Sequence, residues 1–361
     1  MATDSQEPSG VGEHMLTLGQ ALAGDYDVAL AAPDHPAGLA LLQRAAAAGL
    51  RIKSLDLGQP SAIRSWLAAA DEALLHVHAG IGWEGYDLVR HGKAAGLPVV
   101  RTEHLPYLLT SPVQQAAYRA MLLSVDGRIA VSQAVYDTHR DQGGGPQVII
   151  CNGIFAGAPS IARSDKRRAL GLGEHDKLLL TVARFTPQKG HAVLIDAAPA
   201  VLQRFPATKF ALVGGGPDQD LAAQRIAQSG LAESFALLGH RDDVADLLVA
   251  ADLFVMPSLF EGLSLALLEA MAAKVPAVAT PIGGTLEALG SEHPFLAPPG
   301  DAAALAAAII NALEQPERAQ AAACTAFQRF EERFSARRMA AETSALYQSI
   351  LHRQCPRGVR P

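Results

Sequence analysis

A chain of 361 residues that is 49% hydrophobic exceeds what a single core usually organises, so two domains of ordinary size are expected. A formal net charge of −6 gives a polyanion nothing to bind, which sets nucleic acid aside, and no uncharged apolar run reaches bilayer length. Cys151, Cys324 and Cys355 are odd in number and form no CxxC pair suited to zinc or a redox dithiol, which fits a reducing cytosol.

The opening residues MATDSQEPSG are polar and acidic where a secretory signal needs a basic start and an apolar run. SGVGEHMLTLGQALAG then reads as a glycine-rich loop opening a helix. Such a loop normally follows a strand inside the sheet, yet only the polar stretch 2–9 precedes it. Either the sheet lacks its first strand or the natural start lies upstream of Met1, and the second reading is favoured. DVALAAP, LLHVHAG, PVVRTEH, GRIAVS and QVIICNG follow as short strands, alternating with alanine- and leucine-rich helices. Residues 1–155 are thus one βα domain. Residues 156–176 carry Gly, Pro, Ser and mixed charge, as a linker does. A second series, KLLLTVARF, TKFALVGGG, SFALLGH, DLFVMPS and PAVAT, is continuously hydrophobic like buried parallel strands and defines a second doubly wound domain over 177–333. Residues 334–361 are expected to form a C-terminal helix returning towards the first domain. The fold class is α/β.

In open α/β sheets ligands lie beyond the carboxyl ends of the strands. Arg184 closes one strand and Lys189 follows five residues on in the same loop. Two cations held this close repel unless an anion separates them, and a diphosphate suits a planar fork beside a point charge; an ordinary solvated loop is the competing reading. After DLFVMPS, Glu261, Gly262, Leu263 and Ser264 occupy a turn, with Ser264 placed to cap the helix carrying Glu269. Eight residues would set the two glutamates roughly 80° apart on one continuous helix, a constraint that relaxes with Glu261 in the turn. A carboxylate among Leu265, Leu267, Leu268 and Met271 needs hydroxyl or amide donors, and ribose hydroxyls are one such set; a salt bridge within the protein is another.

ARFTPQKG, LVGGGPD, LLGHRDDV, ADLFVMPSLFEGLSLALLEAMAAKVPAVATPIGG and Glu287 together resemble family 4 retaining glycosyltransferases of the GT-B fold, in which two Rossmann-like domains face each other across a cleft. The resemblance covers nearly all of 177–289. It implies that Arg184 and Lys189 bind the donor diphosphate, that Glu261 lies by the transferred sugar and that Glu269 holds the ribose. Amides of Gly262, Leu263, Ser264 and Leu265 are implied at the sugar or phosphates, and Gly214, Gly215, Gly239, His240 and Arg241 at the nucleotide. The first domain resembles the family more loosely: Gly10 and Gly12 match its glycine loop and are implied at the donor phosphates, His14 is implied on the acceptor side, and His104 takes the position of a histidine contacting the transferred sugar. His78 is an acceptor-side candidate; for His76, His78 and His104 a strand-end histidine with an ordinary hydrogen bond is an even alternative. CNGIF matches a closing Asn-Gly segment, with Phe155 where the family often has Asp.

Asp218–Asp220 mimics a metal-binding DxD but opens a helix, where carboxylates complement the dipole. Asp242 and Asp243 precede another helix and form no metal cluster. No essential metal or cofactor is expected. The expected activity is retaining transfer of a hexose from a UDP- or GDP-linked sugar to a hydroxyl of a carbohydrate or lipid-linked acceptor, in cell-surface polysaccharide or glycolipid assembly. A sugar phosphorylase, a nucleotide-sugar epimerase and a non-catalytic sugar-nucleotide-binding subunit are the alternatives. The setting is cytoplasmic, with peripheral contact at the inner face of a membrane left open.

Overall fold

A computed structural model describes residues 1–7, 9–69, 73–80 and 82–354; Cys355 lies outside them. The chain divides into one unit of Met1–Phe155 with the stretch from Phe334, and a second of Ala156–Arg333.

In the first unit the strands are β1 (Ala29–Pro33), β2 (Arg51–Leu55), β3 (Leu75–Ala79), β4 (Val99–Glu103), β5 (Gly127–Ala130) and β6 (Gln147–Ile149). All pair in parallel, β1 with β2 and β3 through β6 in sequence order. The strand expected to be missing is present in rudiment. Ala2 forms parallel bridges to Ala31 and to Val77, Ala2 N donates to His76 O at 2.8 Å, and Thr3 N donates to Ala31 O at 3.1 Å. Met1–Thr3 therefore joins the two sheet fragments into the order β2-β1-(1–3)-β3-β4-β5-β6, with Ala2 and Thr3 fully buried. Three residues are too short to show a strand pattern in the sequence; backbone pairing holds the segment, and Met1 and Ala2 pack into the core beside it. The glycine loop expected before the first helix is likewise corrected: Gly10 and Gly12 lie in the opening turns of helix Ser9–Leu22.

The second unit has β7 (Lys177–Val182), β8 (Thr208–Val213), β9 (Phe235–Gly239), β10 (Leu253–Met256) and β11 (Ala277–Ala279), all parallel in the order β11-β10-β7-β8-β9. Strand order reverses between β7 and β10, the switch point at which a doubly wound sheet opens a crevice. Leu179, Leu212, Val255 and Val278 put one face of this sheet into a core with Leu194, Ile195 and Ile309 of the covering helices. Residues 156–176, read as a linker, fold onto this unit. Ser160 donates from N and Oγ to the Asp246 carboxylate at 2.6 and 2.7 Å, and Arg163 and Arg167 of helix Arg163–Ala169 both reach Asp252. Helix Ala336–Gln354 belongs to the first unit, where Met339, Tyr347 and Ile350 pack on Val100 and Ile129.

One buried ionic group organises the first unit. Arg101, wholly buried in β4, donates through Nε to Glu103 at 2.5 Å and through Nη1 to Glu84 O at 2.6 Å. Tyr118 donates to Glu103 at 2.8 Å and shares a 2.7 Å hydrogen bond with His139, whose Nε2 reaches Leu105 O at 3.1 Å. Burial opposes charge on Glu103, yet Arg101 holds its carboxyl below the usual range. Removing one partner leaves the other charge buried and unpaired. Glu103→Ala is expected to destabilise the protein by about 3–5 kcal/mol, read as a fall in the urea midpoint by tryptophan fluorescence; a shift under 1 kcal/mol would contradict this account.

Candidate active site

The loops leaving the carboxyl ends of β7 to β11 are tied to one another in sheet order. Gly214 N donates to Gly239 O and Phe185 N to Gly215 O, each at 2.8 Å, joining the loops after β9, β8 and β7. Leu259 N donates to Gln188 O at 2.7 Å, and Gln188 Nε2 to Phe260 O at 2.9 Å, joining β7's loop to β10's. Thr280 Oγ1 donates to Ser258 O at 2.6 Å, joining β10's loop to β11's. Two glycines permit this closeness. Gly190 has φ +67°, and a Cβ there would stand 2.0 Å from Pro257 O; Gly214 has φ +133°, and a Cβ there would stand 2.1 Å from Ala183 O.

Glu261 sits where these loops meet at the switch point. It is only 6% exposed, and Lys189 Nζ forms an ion pair with its Oε1. Ser258 Oγ donates to the same oxygen at 3.0 Å, and Gln188 Nε2 lies 3.4 Å from the other. The expectation that Lys189 joins Arg184 on an anion differs from this arrangement. Here a buried carboxylate takes up the lysine, because an unpaired carboxylate at that depth is costly. Arg184 is half-buried at the start of the same loop. Ser264 caps helix Leu265–Ala272, its Oγ accepting from Leu267 N at 3.3 Å. Gly262 and Leu263 are buried before it, Leu265 is half-buried, and Glu269 is half-buried one turn within. Gly215 has open space above its Cα, as does Gly239 at the edge strand. His240 is exposed, and Arg241 is held by Asp243 at 2.7 and 2.6 Å. Asp243 also takes Lys166, so it serves ion pairs, and the hydrogen bond from Arg241 depresses its pKa. Asp218 stands at the N-cap of helix Gln219–Gln228 without a side-chain capping bond.

In the first unit four histidines converge at the ends of β3 and β4. His76 is saturated, its Nδ1 at 2.5 Å from Tyr347 Oη and its Nε2 at 2.7 Å from Thr102 Oγ1. His14, from helix Ser9–Leu22, pairs through Nδ1 with Asn152 Oδ1 at 2.9 Å, and its ring centroid lies 5.2 Å from that of His78 and 4.6 Å from that of His104. His78 Nδ1 is 3.3 Å from His104 Nε2. His14, His78 and His104, read separately from the sequence, thus form one buried cluster. Phe155 is exposed. A cavity of about 290 Å³ lined by Met1, Trp66, Leu75 and Tyr347 opens instead at the amino ends of the strands, the wrong end of the sheet for a ligand of this fold.

Sequence reading assigned no role to Ser258, Gln188 or His191, and none to Asn152 beyond a closing Asn-Gly segment. Ser258 and Gln188 grip Glu261, and Asn152 orients His14; each is a polar residue within a quoted motif, which was the available signal. His191 follows Lys189-Gly190, is buried, stacks on Phe185 with centroids 4.2 Å apart, and has neither ring nitrogen hydrogen-bonded. Burial pushes the His191 and His14 pKa values down to about 4, and those of His76, His78 and His104 well below normal.

A depressed histidine pKa means that the unfolded chain binds more protons below pH 6.5, so stability falls as pH drops from there towards about 4. Each such histidine contributes up to about 1.4 kcal/mol per pH unit over its window. Melting temperature in EDTA-containing buffer should decline steeply between pH 6.5 and 4.5 and less steeply in His14→Gln; a wild-type profile flat over that range would contradict the buried neutral cluster.

Comparison with known proteins bears on both units. Residues 8–155 match the family model described as Glycosyltransferase Family 4, and 176–315 the one described as Glycosyl transferases group 1. The phosphatidyl-myo-inositol mannosyltransferase of Mycobacterium leprae is 31% identical over 350 residues, covering 90% of each chain. That of Mycolicibacterium smegmatis is 30% identical over 86% of this chain and 82% of its own. Anabaena HepE, solved with UDP and glucose, superposes with a TM-score of 0.82 at 23% identity over 96% of this chain and 98% of its own, a likeness of fold. The fold is GT-B, built from two Rossmann-like units, and the chain belongs to the family 4, group 1 glycosyltransferases.

Proposed function

We propose that this glycosyltransferase moves a hexose, with retention, from a nucleotide diphosphate sugar to a hydroxyl of a carbohydrate or lipid-linked acceptor. The observation that carries the reading is Glu261, buried at the switch point between β7 and β10 and gripped by Lys189 and Ser258. A carboxylate fixed there orients sugar hydroxyls and offsets positive charge on an oxocarbenium-like carbon. Arg184 and Lys189 stabilise the departing diphosphate, Lys189 dividing its charge between phosphate and Glu261. Glu269 accepts from the ribose, and the amides at Gly262, Leu263, Ser264 and Leu265 face sugar or phosphate oxygens. Gly214, Gly215, Gly239, His240 and Arg241 border the nucleotide, Arg241 least directly because Asp243 occupies it. The same reading gives His104 to the transferred sugar, His14 and His78 to the acceptor side, and Gly10 and Gly12 to the donor phosphates.

The acceptor oxygen attacks C1 from the face that the diphosphate leaves. The C1–O bond to phosphate breaks as the new glycosidic bond forms, and the acceptor proton passes to the departing phosphate oxygen, so no covalent Glu261 adduct is needed. The cations and amides supply the leaving-group charge, and the reading assigns no metal or cofactor to transfer. Of the two proposed settings, glycolipid and polysaccharide assembly, the first is supported by the lipid acceptor named for the mycobacterial relatives. No helix among the described residues is long and apolar enough to cross a bilayer, and peripheral contact with a membrane belongs to the same reading.

Thermal shift with UDP- and GDP-linked hexoses, mannose and glucose among them, should identify the donor by the largest rise in melting temperature. With that donor, nucleoside diphosphate release should depend on acceptor; interconversion of free nucleotide sugars, or binding without turnover, would overturn the transferase assignment for this site. Proton coupling at the product's anomeric carbon reads retention.

Glu261→Ala is expected to lower kcat by about 10²–10³-fold, while Glu269→Ala mainly raises the donor KM. Arg184→Ala and Lys189→Ala should each raise donor KM and lower kcat, and unchanged values in both would remove the diphosphate assignment.

A further inference from the structure

We propose that His14, His78 and His104 form a binding site for one transition-metal ion of the zinc class. One ring nitrogen from each histidine lies within 4.8 Å of those of the other two. The rings come from a helix, from β3 and from the residue after β4, so the backbone fixes three converging directions. His78 is wholly buried; coordination through its Nδ1, the nitrogen facing His104, leaves Nε2 outside the proposed site. The 3.3 Å between His78 Nδ1 and His104 Nε2 is long for a buried hydrogen bond. It matches the spacing of about 3.3 Å that tetrahedral Zn–N bonds of 2.0–2.1 Å impose on two ligands.

The surroundings fit the same chemistry. Asn152 Oδ1 can accept from His14 Nδ1–H at 2.9 Å, which leaves the Nε2 lone pair available, the outer hydrogen bond that orients a metal-binding histidine. His76 is excluded, since Tyr347 and Thr102 occupy both of its nitrogens. Burial keeps the three rings neutral and therefore able to donate electron pairs. Three imidazoles without a carboxylate select zinc, cobalt, nickel or copper over magnesium or calcium, and the fourth position falls to water or a hydroxyl. The ion is not needed for transfer. Its consequence for activity rests on the transferase reading above: if these histidines wall the sugar and acceptor, an ion there inhibits.

The test uses the full-length protein freed of metal by a chelator. Equilibrium dialysis against Zn²⁺ should give one ion per chain, and Co²⁺ should produce the visible bands of a four-coordinate nitrogen site, with no such stoichiometry for Mg²⁺. His78→Ala and His14→Ala should each weaken binding at least tenfold, while His352→Ala, on the exposed face of the C-terminal helix, should leave it unchanged. Far-ultraviolet circular dichroism checks that the variants fold, and the wild-type stoichiometry and cobalt spectrum stand without them. Absence of one-to-one binding, or full binding by a folded His78→Ala, overturns the site and leaves the transferase reading intact. One-to-one binding that leaves transfer unaffected overturns instead the placement of these histidines at the sugar.

Discussion

The candidate donor site depends on how a buried carboxylate is held in place. Glu261 lies in a turn between the end of β10 and a capped helix, nearly out of reach of water, and it stays there because Lys189 and Ser258 converge on one oxygen. Ser258 is a local partner three residues earlier in the same loop, but Lys189 arrives only because the β7 and β10 loops approach at backbone distance, which requires glycine at position 190. Geometry and charge are thus one constraint. A side chain at residue 190 would separate the loops, and separated loops would leave the carboxylate unpaired.

The same constraint bears on the proposed chemistry. A lysine already in contact with a carboxylate loses less in ordering when an anion arrives, since its position is set in advance. Glu261 held by a serine and a lysine presents a fixed oxygen array rather than a mobile one, the condition under which electrostatic stabilisation is strongest. In the first unit the corresponding device is different in kind. Arg101, Glu103, Tyr118 and His139 tie together the loops after β3 and β4, and the histidine cluster has its rings held by burial and by Asn152.

Much of this was legible in the chain. Runs of continuous hydrophobicity separated by helix-period segments specify parallel α/β units, because a strand buried on both faces has no polar side to show. The positions of Arg184, Lys189, Glu261 and Ser264 at strand ends follow from the same pattern, and the cap by Ser264 is a local interaction that spacing alone fixes. Met1–Thr3 was not legible as a strand, since three residues of mixed polarity carry no periodicity and their pairing is to Ala31 and Val77, far along the chain.

What the sequence determined by itself was the class of fold, the order of its elements and the residue types gathered at the carboxyl ends of the strands, all consequences of local period and spacing. Only the tertiary structure decided which of those residues meet. Lys189 finds Glu261 across 72 positions and His14 finds Asn152 across 138; such pairings depend on strand order and loop closure, quantities to which side-chain periodicity is blind.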